Sequence, residues 1–204
     1  MKTNIDNISK PKTILIVIGV LSGYIRNWPV FVFRLLFTFK KFKRGIHSEL
    51  PKDFIDSTAF MAHLYLCLQK KMNKNKAFEV TRAVVLTTGL AIQQANFRNV
   101  EDERTYSNLI RYQKRTNREG TTKLNTMKII EETENRYEFI VTRCLFYEFF
   151  NKLGIKELTS IMCSVDNAIF GSYMGDELIF HRRGKENTIF NGKSECRFVI
   201  EKNS

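Results

Sequence analysis

At 204 residues the chain fits one sizeable domain or two small ones, and one is the default at that length. Hydrophobic residues make up 43% and charged residues 26%, which excludes global disorder, and ten Gly and three Pro exclude collagen-like, Gly-rich and Pro-rich architectures. A net charge of +12 points to an anionic partner, nucleic acid or membrane, and the position of the charge decides between them.

The front of the chain carries most of it. Residues 1–46 hold Lys2, Lys10, Lys12, Arg26, Arg34, Lys40, Lys41, Lys43 and Arg44 against Asp6 alone, which is +8 of the +12. The same segment is apolar: Thr13–Ile25 has no charge, and Trp28–Phe39 has only Arg34. A helix of the first run spans about 20 Å, short of the roughly 30 Å hydrocarbon core, and Arg26, Asn27 and Pro29 interrupt any longer span. No small-residue cleavage site comes after it, so a secretory signal fits poorly. Two readings stay open. Either the segment packs on the domain as a strand or short helix plus an amphipathic helix, or residues 13–44 rest on an anionic membrane surface. We therefore divide the chain into a basic, Phe-rich segment, 1–46, and a single domain, 47–204. The domain is nearly balanced in charge, which argues against nucleic acid.

Leu50-Pro51 marks the boundary, with Asp53 or Asp56 as the cap of the first helix of the domain. Helical spacing runs from Phe54 to Met72, with Ile55, Ala59, Ala62 and Leu66 on one face. Asn73 and Asn75 break it. A second helix covers about Lys76–Phe97, with Val80, Val84, Thr87 and Ala91 in a stripe. A third covers Glu101–Arg118, opened by Glu101, Asp102 and Glu103. Then the period changes. Met127–Glu131 and Tyr137–Cys144 alternate as strands, and Phe146–Leu153 is a short helix stopped by Gly154. Glu157–Phe170 is helical, and strands come next at Glu177–Arg182, Thr188–Phe190 and Glu195–Glu201, with Asn191-Gly192 as a turn. The class is α+β: a helical N-terminal half packed on a C-terminal antiparallel sheet with short helices.

Cys67, Cys144, Cys163 and Cys196 are far apart, and no pair has CxxC spacing. We read them as reduced thiols in a cytoplasmic protein, peripheral to the membrane on the second reading above. No phosphate loop, HExxH or GxSxG is present. Cys163 and Asp166 stand at i and i+3 on one predicted helix, beside its apolar stripe and not at its centre. Cys196 opens the last strand, and Cys144 ends an earlier one. A carboxylate beside Cys163 raises the thiol's pKa unless a cation intervenes, and Arg143, His181, Arg182 and Arg183 are the candidates. Either Cys163 attacks directly, or Asp166 is the base for a water and the thiols line the pocket. A zinc site of Cys144, Cys163, Cys196 and Asp166 is chemically feasible, although we expect no metal and no cofactor.

Several spaced elements agree, in order, with one family. Arg143-Cys144 ends a strand, Gly154–Leu158 reads Gly-x-x-Glu-Leu, Cys163 and Asp166 form Cys-x-x-Asp, and Gly192, Cys196 and Phe198 form Gly-x-x-x-Cys-x-Phe. Over about residues 137–202 the chain resembles the L-2-amino-thiazoline-4-carboxylic acid hydrolase family. Arg197 departs from the acidic residue common there. The resemblance implies that water opens the thiazoline ring of a cysteine-derived carboxylate, or a related cyclic amidine. It makes Cys163, Asp166 and Cys196 the catalytic candidates. Arg143, Cys144, His181 and Arg182 are then the substrate-binding candidates. The layout is also similar to vinyl-4-reductase-type domains, so a small-molecule-binding module without turnover is the alternative. The partner is a small molecule in either case, and the oligomeric state is left open.

Overall fold

The computed structural model describes residues 10–46, 49–100, 103–119, 123, 125–184 and 187–203. The elements are α1 (Lys10–Tyr24), α2 (Trp28–Arg44), α3 (Lys52–Gln69), α4 (Lys74–Val100), α5 (Tyr106–Glu119), β1 (Thr126–Glu132), β2 (Arg136–Arg143), α6 (Leu145–Lys152), α7 (Leu158–Tyr173), β3 (Leu178–His181) and β4 (Cys196–Lys202). Helices fill the first half and a four-stranded antiparallel sheet with helices the second, so the class is α+β. The chain divides into two compact units, one running to Ile92 and one from Gln93 onward.

In the first unit both apolar runs of the front segment are helices. They part at Asn27, and Pro29 sits in the first turn of α2, where the proline's missing N–H has no helical partner to lose. Phe31 and Leu35 turn inward from α2, and His63 of α3 is buried against it. The His63 ring lies 4.7 Å from that of Phe42, and its Nε2 is 3.1 Å from the Leu35 carbonyl and 3.0 Å from Thr38 Oγ1. Burial pushes its pKa down, so a neutral imidazole donating to Leu35 satisfies the site.

Several local expectations need correction. Neither Asp53 nor Asp56 caps α3. Pro51 holds that position, Asp53 lies in the first turn, and Asp56 pairs with Lys43 at 3.0 Å. Thr87 is exposed, and the buried stripe of α4 is Ala77, Val80, Thr81 and Val84. α5 begins at Tyr106 with no acid in its first turn, because the Thr105 hydroxyl accepts from the Asn108 N–H and caps it. Glu101 and Asp102, its expected opening, lie outside the described residues.

In the second unit the sheet order is β1-β2-β4-β3, all neighbours antiparallel. Register fixes its faces. Tyr137 pairs with Ile200, Phe139 with Phe198, Val141 with Cys196, and Phe180 with Ile200, so these share one face. Helix α7 packs on its β3 side, with Phe170 4.8 Å from Phe180, and Tyr137 and Phe139 on the same face are essentially solvent-free. Glu138, Ile140, Arg197, Val199 and His181 take the other face. The expected strand at Thr188–Phe190 is instead a 3-10 turn, Ile189–Asn191, closed by Gly192 at φ 85°. That left-handed backbone suits glycine, as does φ 72° at Gly154, which ends α6 as expected.

Candidate functional site

Residues of three kinds meet on the helix-covered face. Cys163 and Asp166 are one turn apart on α7, and both are half-buried beside its Leu158, Ile161 and Val165 stripe. Cys196 opens β4, buried, with its sulfur accepting the Ile189 N–H at 3.2 Å. Cys144 stands just past β2 as the residue before α6, without forming a good side-chain cap. The pKa of each of these three thiols responds to the Asp166 charge, and that of Cys163 to the other two thiols, so the four groups lie within electrostatic reach of one another.

Arg182, just past β3, completes the site. Its Nη2 donates to Asp166 Oδ2 at 3.0 Å, and its guanidinium lies 4.1 Å from the Phe198 ring centroid and 5.5 Å from that of Phe180. The side chain is only 6% exposed. A buried guanidinium must be paired, and stacking on two rings supplies a second favourable contact. Its Nε and Nη1 nonetheless have no partner among the described residues. Unsatisfied buried donors cost about 1–3 kcal/mol, more when charged, so this arginine is under-satisfied as it stands.

Asp166 is 39% accessible, yet burial is the foremost influence on its carboxyl. The two agree if the carboxylate lines a recess, walled by protein but reached by solvent. Burial raises its pKa, and the charge and hydrogen bond of Arg182 oppose the rise. Burial also pushes Cys163 up to about 12, the Asp166 charge adding to the rise and Arg182 opposing it. Cys144 goes up to about 11, chiefly by burial, with the amides of Phe146 and Tyr147 leaning the other way. Cys196 is raised too, again by burial first. All three thiols are protonated at neutral pH. A direct Cys163 attack would first require removal of the thiol's proton, whereas Asp166, held by Arg182, is a hydrogen-bond acceptor already in place.

The other candidates are placed elsewhere. Arg143 is engaged by Glu148 in a two-pronged pair, at 2.7 and 3.0 Å, on an exposed side chain. His181 faces the opposite side of the sheet from Cys196, where its Nε2 meets Glu201 at 3.0 Å. Strand alternation puts it there, so it cannot clamp a ligand beside Asp166. Arg183 also goes to that side. Nor does a zinc site form, since among the described residues no three Cys, His, Asp or Glu side chains gather closely enough to hold a metal ion.

Two features escaped the sequence reading. One is the Phe198 ring as the platform under Arg182. The other is Glu138, fully buried on the opposite face and bound by Arg136 at 2.7 Å, Arg183 at 2.7 Å and Arg197. Burial alone would raise its pKa, but the hydrogen bonds from Arg136 and Arg197 and the Arg183 charge hold it below the ordinary carboxylate value. The available signal was a lone acid inside the apolar run Tyr137–Val141.

Fold and site together define an α+β protein whose sheet and covering helix hold an arginine–carboxylate pair among protonated thiols. By sequence the chain belongs to the L-2-amino-thiazoline-4-carboxylic acid hydrolase family, whose model matches residues 54–200. That match starts well before the spaced motifs and takes in α3, α4 and α5. No curated protein matches the chain. Among solved structures, an Fe(II) unliganded H-NOX protein mutant from K. algicida is 13% identical, covering 94% of this chain and 95% of that one, with a TM-score of 0.36. So slight a likeness says nothing about this chain's chemistry.

Proposed function

We propose that the protein hydrolyses a small cyclic amidine bearing a carboxylate, a thiazoline or a close relative, with Asp166 as the base. The observation that carries this is Arg182, buried, stacked on Phe198, holding Asp166 by one nitrogen and leaving two donors without partners. Both donors are closed to solvent, so a carboxylate on the substrate, or a water entering with it, relieves that deficit once the wall of the site moves aside. Asp166 then removes a proton from water as the oxygen bonds to the amidine carbon. The carbon–ring-heteroatom bond breaks, and the proton held by Asp166 passes to the leaving atom, so the carboxylate is restored. Cys163 and Cys196, as neutral thiols, line the recess and donate weak hydrogen bonds without taking part covalently.

A second reading is a binding module without turnover, which the same buried Arg182 and its unpartnered donors would serve equally. Purified full-length chain incubated with carboxylate-bearing thiazolines and cyclic amidines separates the two. Product formation supports the hydrolase. Thermal stabilisation by a ligand with no product supports the binder, and neither response overturns both.

A further inference from the structure

We propose that the outer face of α2 docks the protein on an anionic lipid surface, with the helix lying in the interface. Among the described residues, seven of the ten exposed large hydrophobic side chains fall between Ile14 and Phe37, in α1 and α2. Phe33 and Phe37 are 69% and 77% exposed, and their rings stack on each other at 6.1 Å. With Val30 they succeed one another at spacings of three and four, so all three share a face. The inner face of the helix, with Phe31 and Leu35, is already buried, so this apolar stripe is not core awaiting a neighbour. An exposed cluster of this kind marks an interaction site.

The charge on that face says what covers it. Arg34 lies within the stripe and Lys40, Lys41 and Arg44 continue it through the last turns of α2, all exposed, and no carboxylate pairs with them among the described residues. Only Lys43 turns inward, to Asp56. With the helix flat, the rings enter the acyl boundary while the long basic side chains beside them reach up to the headgroups. A second copy of this chain would press the same +8 segment against itself. Nucleic acid would satisfy the cations but leave the aliphatic and phenyl groups wet. Crossing is excluded for α2 by Arg34 near its middle, and no helix among the described residues is long and apolar enough to span a membrane.

Co-sedimentation of the full chain with vesicles tests this, using phosphatidylcholine alone and phosphatidylcholine containing phosphatidylserine. Binding should be at least about tenfold stronger to the anionic vesicles and should weaken with salt. The triple change Lys40→Gln, Lys41→Gln, Arg44→Gln should weaken it about a hundredfold, and Phe33→Ser with Phe37→Ser should remove it at any charge. All five side chains are exposed, so circular dichroism should be unchanged. Equal binding to neutral and anionic vesicles overturns the proposal, as does no binding to either. So does a dimer in solution that the Phe33/Phe37 variant dissolves while vesicles are ignored.

Discussion

Arg182 and Arg183 are neighbours in sequence, yet they bind carboxylates on opposite faces of the sheet: Arg182 holds Asp166 at 3.0 Å and Arg183 holds Glu138 at 2.7 Å. The chain can divide them because Arg183 takes a positive φ of 50°, with its N–H donating to His181 Nδ1 at 3.2 Å. The turn after β3 is therefore pinned from both sides. That pinning keeps Arg182 over Phe198 and against Asp166.

If Arg182 receives a substrate carboxylate, its planar fork matters and not only its charge. Arg182→Lys keeps the cation but loses the forked donors and the flat stacking on Phe198. We expect kcat/KM to fall about 100-fold, mostly through KM, with the fold retained. An unchanged KM would show that the substrate is held by other groups.

Glu138 should act through stability. Glu138→Gln removes a solvent-free charge and leaves three arginines partly unpaired, at a cost of about 3 kcal/mol. Denaturant melts measure it. The pH dependence has a definite sign. Because the folded pKa lies below the ordinary value near 4.5, Glu138 contributes stability above that pH and loses it progressively as pH falls further. The Gln variant should lack this part of the acid transition.

The thiols impose the opposite limit. Cys163 and Cys144 hold their protons to about 12 and 11 in the fold, against an ordinary value near 9. Above about pH 9 the unfolded chain binds fewer protons than the native one, so stability falls as pH rises. Melting temperature should decline from pH 9 toward 11, and more gently in Cys163→Ala. At neutral pH iodoacetamide should modify these two thiols slowly until the protein unfolds.

The strands and helices near the site are legible in the sequence because their periods are local. Alternation through Tyr137, Phe139 and Val141 marks the covered face, and the i, i+3 spacing of Cys163 and Asp166 puts both at the edge of the helix core. What closes the site is not legible. Arg182 reaches Asp166 across 16 residues from another element, and nothing in the run His181–Arg183 says which of the three side chains turns toward the helix. Thr188–Phe190 resembles a strand because three residues carry no period; there the Thr188 hydroxyl and Gly192 close a turn instead. Glu138 is obscured for a related reason. Alternation assigns it to the face away from the helices, and only the arginines that roof that face, Arg136 from two residues away and Arg183 and Arg197 from distant positions, make it dry.

The most direct test is the turnover of Asp166→Asn beside the unaltered chain, on whichever carboxylate-bearing cyclic amidine the protein opens. The substitution keeps the shape and removes the proton acceptor. We predict a fall in kcat of about 10²–10⁴-fold, the usual contribution of a positioned base, with an unchanged circular dichroism spectrum. An Asn variant that turns over at the normal rate would contradict the assignment of the site.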